Sequence, residues 1–127
     1  MKVRVSEATN TQLDWMVVVC RHEATRHNYG TPTLDPKTKR IYETEGLRQI
    51  GVNFAPTTDW SQGGPIIENA VVSLGVEDGG WRALCWGTDG PNRELYSMRG
   101  TTPLIAAMRC YVVSRLGEEV EIPEELK

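Results

Sequence analysis

The sequence is short of several things that would settle its class quickly. It has one phenylalanine, Phe54, and only two histidines, His22 and His27. Nothing in the sequence brings either histidine near a nucleophile, so no Ser-His-Asp or Cys-His arrangement can be argued. There is no glycine-rich phosphate loop and no dinucleotide fingerprint. Positive charge is not in excess: the net charge is −3 and the sequence pI is about 5.4. The basic residues around Arg21 to Arg26 and at Lys37, Lys39 and Arg40 are interrupted by acids or neutral residues, which argues against a nucleic-acid partner. The longest apolar run, Trp15 to Cys20, is far too short to span a membrane. Met1-Lys2-Val3-Arg4 does not open a signal peptide. The three cysteines, Cys20, Cys85 and Cys110, are odd in number and far apart, which fits reduced, buried thiols better than a disulfide framework. Cys20, His22 and His27 match no zinc template, so neither a metal nor a cofactor is expected.

What remains is an ordinary soluble composition in a chain of 127 residues, enough for one domain with a real core. Lys2 to Val5 alternates and reads as a strand. Thr9 and Gln12 form a capping box for a helix running to about His22, with Leu13, Met16, Val17 and Cys20 on one face. Residues 23–57, broken by Gly30, Pro32, Asp35-Pro36, Gly46 and Gly51, read as irregular and mobile, with a short strand at Arg40 to Glu43. A short helix is expected at Pro65 to Asn69. Val71 to Glu77, a turn at Asp78-Gly79-Gly80, Trp81 to Trp86 and Glu94 to Met98 read as an antiparallel sheet. The last helix runs from Thr102 to Leu116 and stops at Gly117. The expected fold class is α+β, an antiparallel sheet packed with two long helices and one short one, α/β/α sandwich-like, in a single domain spanning 1–127.

Two runs concentrate the chemistry. Thr57-Thr58-Asp59-Trp60-Ser61-Gln62-Gly63-Gly64-Pro65-Ile66-Ile67-Glu68 and Arg99-Gly100-Thr101-Thr102-Pro103-Leu104-Ile105 each place small polar residues before a proline suited to a helix's first turn. Helix starts expose backbone N–H groups that attract anions.

These strings resemble the NinX-like proteins of lambdoid and related tailed phages, described as a phage α/β/α sandwich. The matching pieces are Leu13-Asp14-Trp15, Thr58 to Glu68, Thr102 to Val112 and Leu116 to Leu126, nearly the whole chain outside residues 21–53. The resemblance implies a small phage protein in the cytoplasm of an infected bacterium, and it brings no catalytic residues. Small phage proteins of this size include antagonists of host defence, some of which sequester nucleotide-derived signals. That role reaches this chain by analogy alone.

The candidate ligand-binding residues are Thr58, Asp59, Trp60, Gly63, Gly64, Arg99, Thr101, Thr102 and Arg109. Trp60 would stack on a flat group, Thr58 and Asp59 would bond to its polar edge, and Gly63-Gly64 would let backbone approach closely. Read structurally, the same run is a helix cap at Thr58 or Asp59 with Trp60 in the core. Arg99, Thr101 and Thr102 would form an anion site at the last helix's start, or an ordinary threonine cap beside a solvated arginine. Arg109 lies at the edge of that helix's apolar arc, and Glu68 and Asp59 are the carboxylates expected to pair with it. The functional expectation is a non-enzymatic binder that sequesters a small anionic or nucleotide-like ligand. The alternative is a protein-interaction module engaging a host or phage factor, and a hydrolase has the least support. A homo-oligomer, simplest as a C2 dimer, is expected because Val113 carries apolar character beyond the helix's main arc.

Overall fold

The computed structural model describes residues 1–24, 31–45, 48–50, 53–88 and 93–127. Among these, three helices are α1 (Asn10–Ala24), α2 (Trp60–Ala70) and α3 (Pro103–Leu116). The strands form three antiparallel sheets. β1 (Lys2–Arg4) pairs with β8 (Glu119–Glu121). β2 (Thr31–Leu34), β3 (Ile41–Glu45) and β4 (Arg48–Ile50) form the second sheet. β5 (Ser73–Glu77), β6 (Gly80–Trp86) and β7 (Leu95–Gly100) form the third. The class is α+β as expected, with several small sheets in place of a single one.

α3 is the axis of the molecule. Leu104 to Met108 and Cys110 to Ser114 are all buried, so the helix is covered nearly all round rather than on half its circumference. A helix apolar on every side belongs inside a core. Ala106 and Cys110, one turn apart, pack on Ala83 and Cys85 of β6. Ile105, Met108 and Val112 share a second cluster with Leu13, Met16, Val17 and Cys20 of α1. The small residues let α3 lie close to the sheet. At Gly100 a Cβ would fall 2.4 Å from the Ala106 backbone nitrogen, so only glycine fits that corner. Val113 is 5% exposed and closed within the chain. The uncovered patch expected there does not exist, and Val113 gives no ground for a dimer.

The first helix begins as its sequence dictates. The Thr9 N–H donates to Gln12 Oε1 at 3.0 Å and the Gln12 N–H to Thr9 Oγ1 at 3.3 Å, closing the capping box. The Gln12 Nε2 also donates to the Leu126 carbonyl at 2.9 Å. With Val3 opposite Val120 in the β1–β8 ribbon, this ties the two ends of the chain together.

Four expectations change. α1 runs to Ala24, two residues beyond His22. Much of 23–57 is ordered sheet: Thr31 to Leu34 pairs with Ile41 to Thr44, and Asp35 Oδ1 accepts the Lys37 and Thr38 N–H groups to close the turn. Residues 25–30, 46–47 and 51–52 of that expectation lie outside the described residues. α2 starts at Trp60, so Pro65 sits inside the helix and not in its first turn. β5 starts at Ser73. Val71 instead terminates α2 in the left-handed region at φ 54°.

The third sheet is covered by α3 on one face only. Ala83 and Cys85 point into the core, while Arg82 and Trp86 alternate onto the other face, where Trp86 and Leu95 are exposed. Among the described residues no helix is long and apolar enough to cross a membrane.

Candidate functional site

The two proline runs start α2 and α3, and the fold brings those starts together. A Cβ on Gly63 would lie 2.6 Å from Leu104 Cδ2 and equally close to the Pro56 carbonyl oxygen. Gly63 therefore lets the first turn of α2 pack onto the first turn of α3. Its role is helix contact, not room for a ligand. Gly64 has open space around its Cα and imposes no such contact.

Asp59 is the N-cap of α2. Its Oδ1 accepts the Ser61 N–H at 2.9 Å and the Ser61 hydroxyl at 2.6 Å, and its Oδ2 accepts Gln62 Nε2 at 2.9 Å. These bonds, the Ser61 hydroxyl first, hold its carboxyl below the usual range. Gln62 reaches back as well, accepting the Ala55 N–H at 3.0 Å and donating to the Asn53 carbonyl at 3.1 Å. Thr58 is exposed, and its N–H donates to the Ala55 carbonyl. Trp60, the first residue of α2, is 55% exposed. It is not a core residue.

The preceding threonine is fixed from another helix. The Thr57 N–H donates to Asp14 Oδ1 at 2.9 Å, both residues being buried. Burial drives the Asp14 carboxyl up to about 6, against the lowering effect of that hydrogen bond. Sequence reasoning assigned no role to Asp14. Its signal was an acid set among Leu13, Trp15, Met16 and Val17, where an unpartnered carboxylate is costly.

At the start of α3, Thr102 caps the helix: its Oγ1 accepts the Ile105 N–H at 3.1 Å, and Pro103 follows at the first helical position. Thr101 beside it is exposed. The Arg99 side chain does not join this corner. Paired in register with Arg82, it lies on the sheet face away from α3. There its Nη2 donates to the Asp78 carbonyl at 2.9 Å, and Glu77 lies near its Nε at 3.9 Å. Arg82 also bonds to Glu77.

Arg109 is near the corner through backbone. Its Nη1 donates to the Arg99 carbonyl oxygen at 2.9 Å, while its Nε is buried with no hydrogen-bond partner. Burial alone lowers its pKa from the ordinary value. Among the described residues no carboxylate pairs with it. The expected partner Asp59 is engaged by Ser61 and Gln62, and Glu68 is exposed on α2.

The fold thus sets the first turn of α2 on the first turn of α3 through Gly63 and Leu104, and ties Arg109 to the strand end that precedes Thr101 and Thr102. It leaves the Arg99 side chain elsewhere. Among the described residues no group of three or more His, Cys, Asp or Glu side chains can hold a metal ion. His27 lies outside those residues.

A family model described as Bacteriophage P22, NinX matches residues 4–115. The chain belongs to the NinX family. The match includes residues 21–53, where the strings quoted above showed no likeness, and it ends before the acidic tail. No curated protein matches the chain. For a NinX-family member the matched region contains both helix starts and the Asp14–Thr57 bond that fixes one of them.

Proposed function

We propose that this NinX-family protein is a non-enzymatic binder that sequesters a small anionic or nucleotide-like ligand at the paired starts of α2 and α3, in the cytoplasm of the infected host. The observation that carries the reading is Arg109: a part-buried guanidinium with an orphaned Nε and no carboxylate beside it. A cation partly desolvated at Nε, with only a backbone carbonyl at Nη1, is a cost to the fold that an anionic ligand would offset. At the start of α3 the Ile105 N–H is taken by Thr102 and Pro103 has none, so what this end adds is the positive pole of the helix dipole. Exposed Trp60 adds a flat apolar surface at the neighbouring helix start. A role against host defence rests on the phage family alone and goes no further than analogy.

The test has two parts. Purified protein is denatured and the released small molecules are identified by mass spectrometry. Inorganic phosphate, mononucleotides and cyclic dinucleotides are then titrated calorimetrically into the emptied protein. Binding of one of these, weakened by Trp60→Leu and by Arg109→Met, supports the reading. No binding of any of them at millimolar concentration rejects it.

A second reading, an interaction module or homo-oligomer, is supported by a different observation. The sheet face away from α3 exposes Trp86 and Leu95, with the Arg93 guanidinium 5.5 Å from the Trp86 ring centroid. Light scattering at micromolar and higher concentration separates the two: a monomer that binds nucleotides favours the first reading.

A further inference from the structure

Two of the three cysteines meet in the core. Cys85 in β6 and Cys110 in α3 place their sulfur atoms 3.3 Å apart. Both side chains are closed to solvent, and neither is disulfide-bonded. The Cys110 Sγ lies 3.3 Å from the Tyr96 carbonyl oxygen and the Cys85 Sγ 3.4 Å from the Cys110 carbonyl oxygen. The two thiols therefore belong to one hydrogen-bonded cluster wedged between the sheet and the central helix. The close approach is built in by Ala83 and Ala106, the small residues that share this cluster. Twenty-five positions separate the two cysteines, so a bond between them would close a substantial loop.

We infer that Cys85 and Cys110 form a redox-active dithiol that a peroxide converts to a disulfide, bolting α3 to β6. The order of events follows from the surroundings. Cys85 is the more acidic of the two, because the Cys110 thiol hydrogen-bonds to it; Ser114 and the Arg115 cation act in the same direction. Cys110 moves the opposite way, since its proton is shared with Cys85 and it is buried. The Cys85 thiolate attacks one peroxide oxygen. An S–O bond forms, the O–O bond breaks, and hydroxide leaves and takes up the proton released by Cys85. The Cys110 sulfur then displaces the sulfenic hydroxyl: the S–S bond forms, the S–O bond breaks, and water leaves with the Cys110 proton. Two thiols and one hydrogen peroxide give one disulfide and two waters, the sulfurs supplying the two electrons. Cys20 serves as an internal reference. It is buried in α1, and burial pushes its thiol up to about 12, so it supplies almost no thiolate at neutral pH.

The inference is independent of the ligand reading and is tested on the whole protein. Reduced protein is exposed to hydrogen peroxide in native buffer, the peroxide is removed, the remaining thiols are alkylated in denaturant, and intact mass and non-reduced tryptic peptides are read. The expected product has lost two hydrogens, keeps one alkylatable thiol of the original three, and yields a peptide pair joining Cys85 to Cys110. Dithiothreitol restores all three thiols. The oxidised form melts several degrees above the reduced one. Cys85→Ser and Cys110→Ser each abolish the mass loss; if either variant fails to fold, the wild-type peptide map decides. Three thiols still alkylatable, oxygen adducts without a bridge, a bridge to Cys20, or an oxidised form that melts no higher than the reduced form would each overturn the inference.

Discussion

Asp14→Asn is expected to stabilise the protein at neutral pH and to lose that advantage in acid. The carboxyl is buried in α1 and accepts one backbone N–H, from Thr57 at 2.9 Å. Its pKa rises from 3.8 to about 6. A folded-state value above the unfolded one means that the protonated form favours folding. That stabilisation is fully present below about pH 4 and is lost as the pH rises through about 6. At about 1.4 kcal/mol per pKa unit, the whole effect is on the order of 3 kcal/mol. Asparagine keeps a carbonyl oxygen for the Thr57 N–H and carries no charge at any pH. The stability difference between variant and wild type should therefore grow by up to about 3 kcal/mol between about pH 4 and pH 7, then level off. Urea melts of both proteins across this range measure it, and every other titrating group cancels in the difference. A pH-independent difference, or a wild type that gains on the variant as pH rises, would refute the assignment of Asp14 as a carboxylate that burial holds at a cost.

Val71→Gly should stabilise by about 1–2 kcal/mol, the cost of a left-handed residue with a Cβ; Val71 sits at φ 54° and is 77% exposed, so little packing is lost. An unchanged thermal midpoint would mean that the strain is absent. Gly63→Ala and Gly64→Ala should move in opposite directions. The first drives a Cβ into Leu104 and the Pro56 carbonyl and should cost about 1–3 kcal/mol. The second enters open space and should gain up to about 1 kcal/mol in helix propensity. Trp60→Leu should change stability by less than about 1 kcal/mol, since the ring is largely exposed; a larger loss by denaturant titration would return Trp60 to the core. Arg109→Met should hold or raise the melting temperature while weakening anion binding, because the stem still packs and the unpaired charge is gone.

Elements marked by local chemistry were legible in the sequence. The Thr9–Gln12 box, the Thr102-Pro103 start and Gly117 stop of α3, and the Asp78-Gly79 turn with Gly79 at φ 75° each satisfy backbone groups within a few residues. The start of α2 was misread for a physical reason. Gly63 and Gly64 are poor helix formers and Pro65 suits a first turn, so local propensity places the start at Pro65. The helix forms around them because the Asp59 cap and the Gly63 contact with α3 outweigh propensity. β3 is legible as the short strand at Arg40 to Glu43, but β2 and β4 are hidden by Pro32 and by their length, and the β1–β8 pairing because it joins opposite ends of the chain. The Cys85–Cys110 contact is likewise a product of helix-on-sheet packing and leaves no mark in spacing.

Asp14 and Arg109 show why the candidate site was only half readable. Each is a charged group carried by a long helix and turned toward low-polarity surroundings. Asp14 has a visible structural return, the Thr57 N–H, which anchors the loop that Asp59 and Gln62 then cap into α2. Removing its charge should therefore leave the architecture intact. Arg109 has a smaller return, one bond to a carbonyl that also faces solvent, and an Nε with nothing to bond to. A neutral side chain of the same length would serve the fold at least as well. The distinction separates a residue that positions the α2 start from one whose placement is explained by something the chain receives. It also makes the pair of substitutions informative together: Asp14→Asn should leave anion binding near wild type, and Arg109→Met should not.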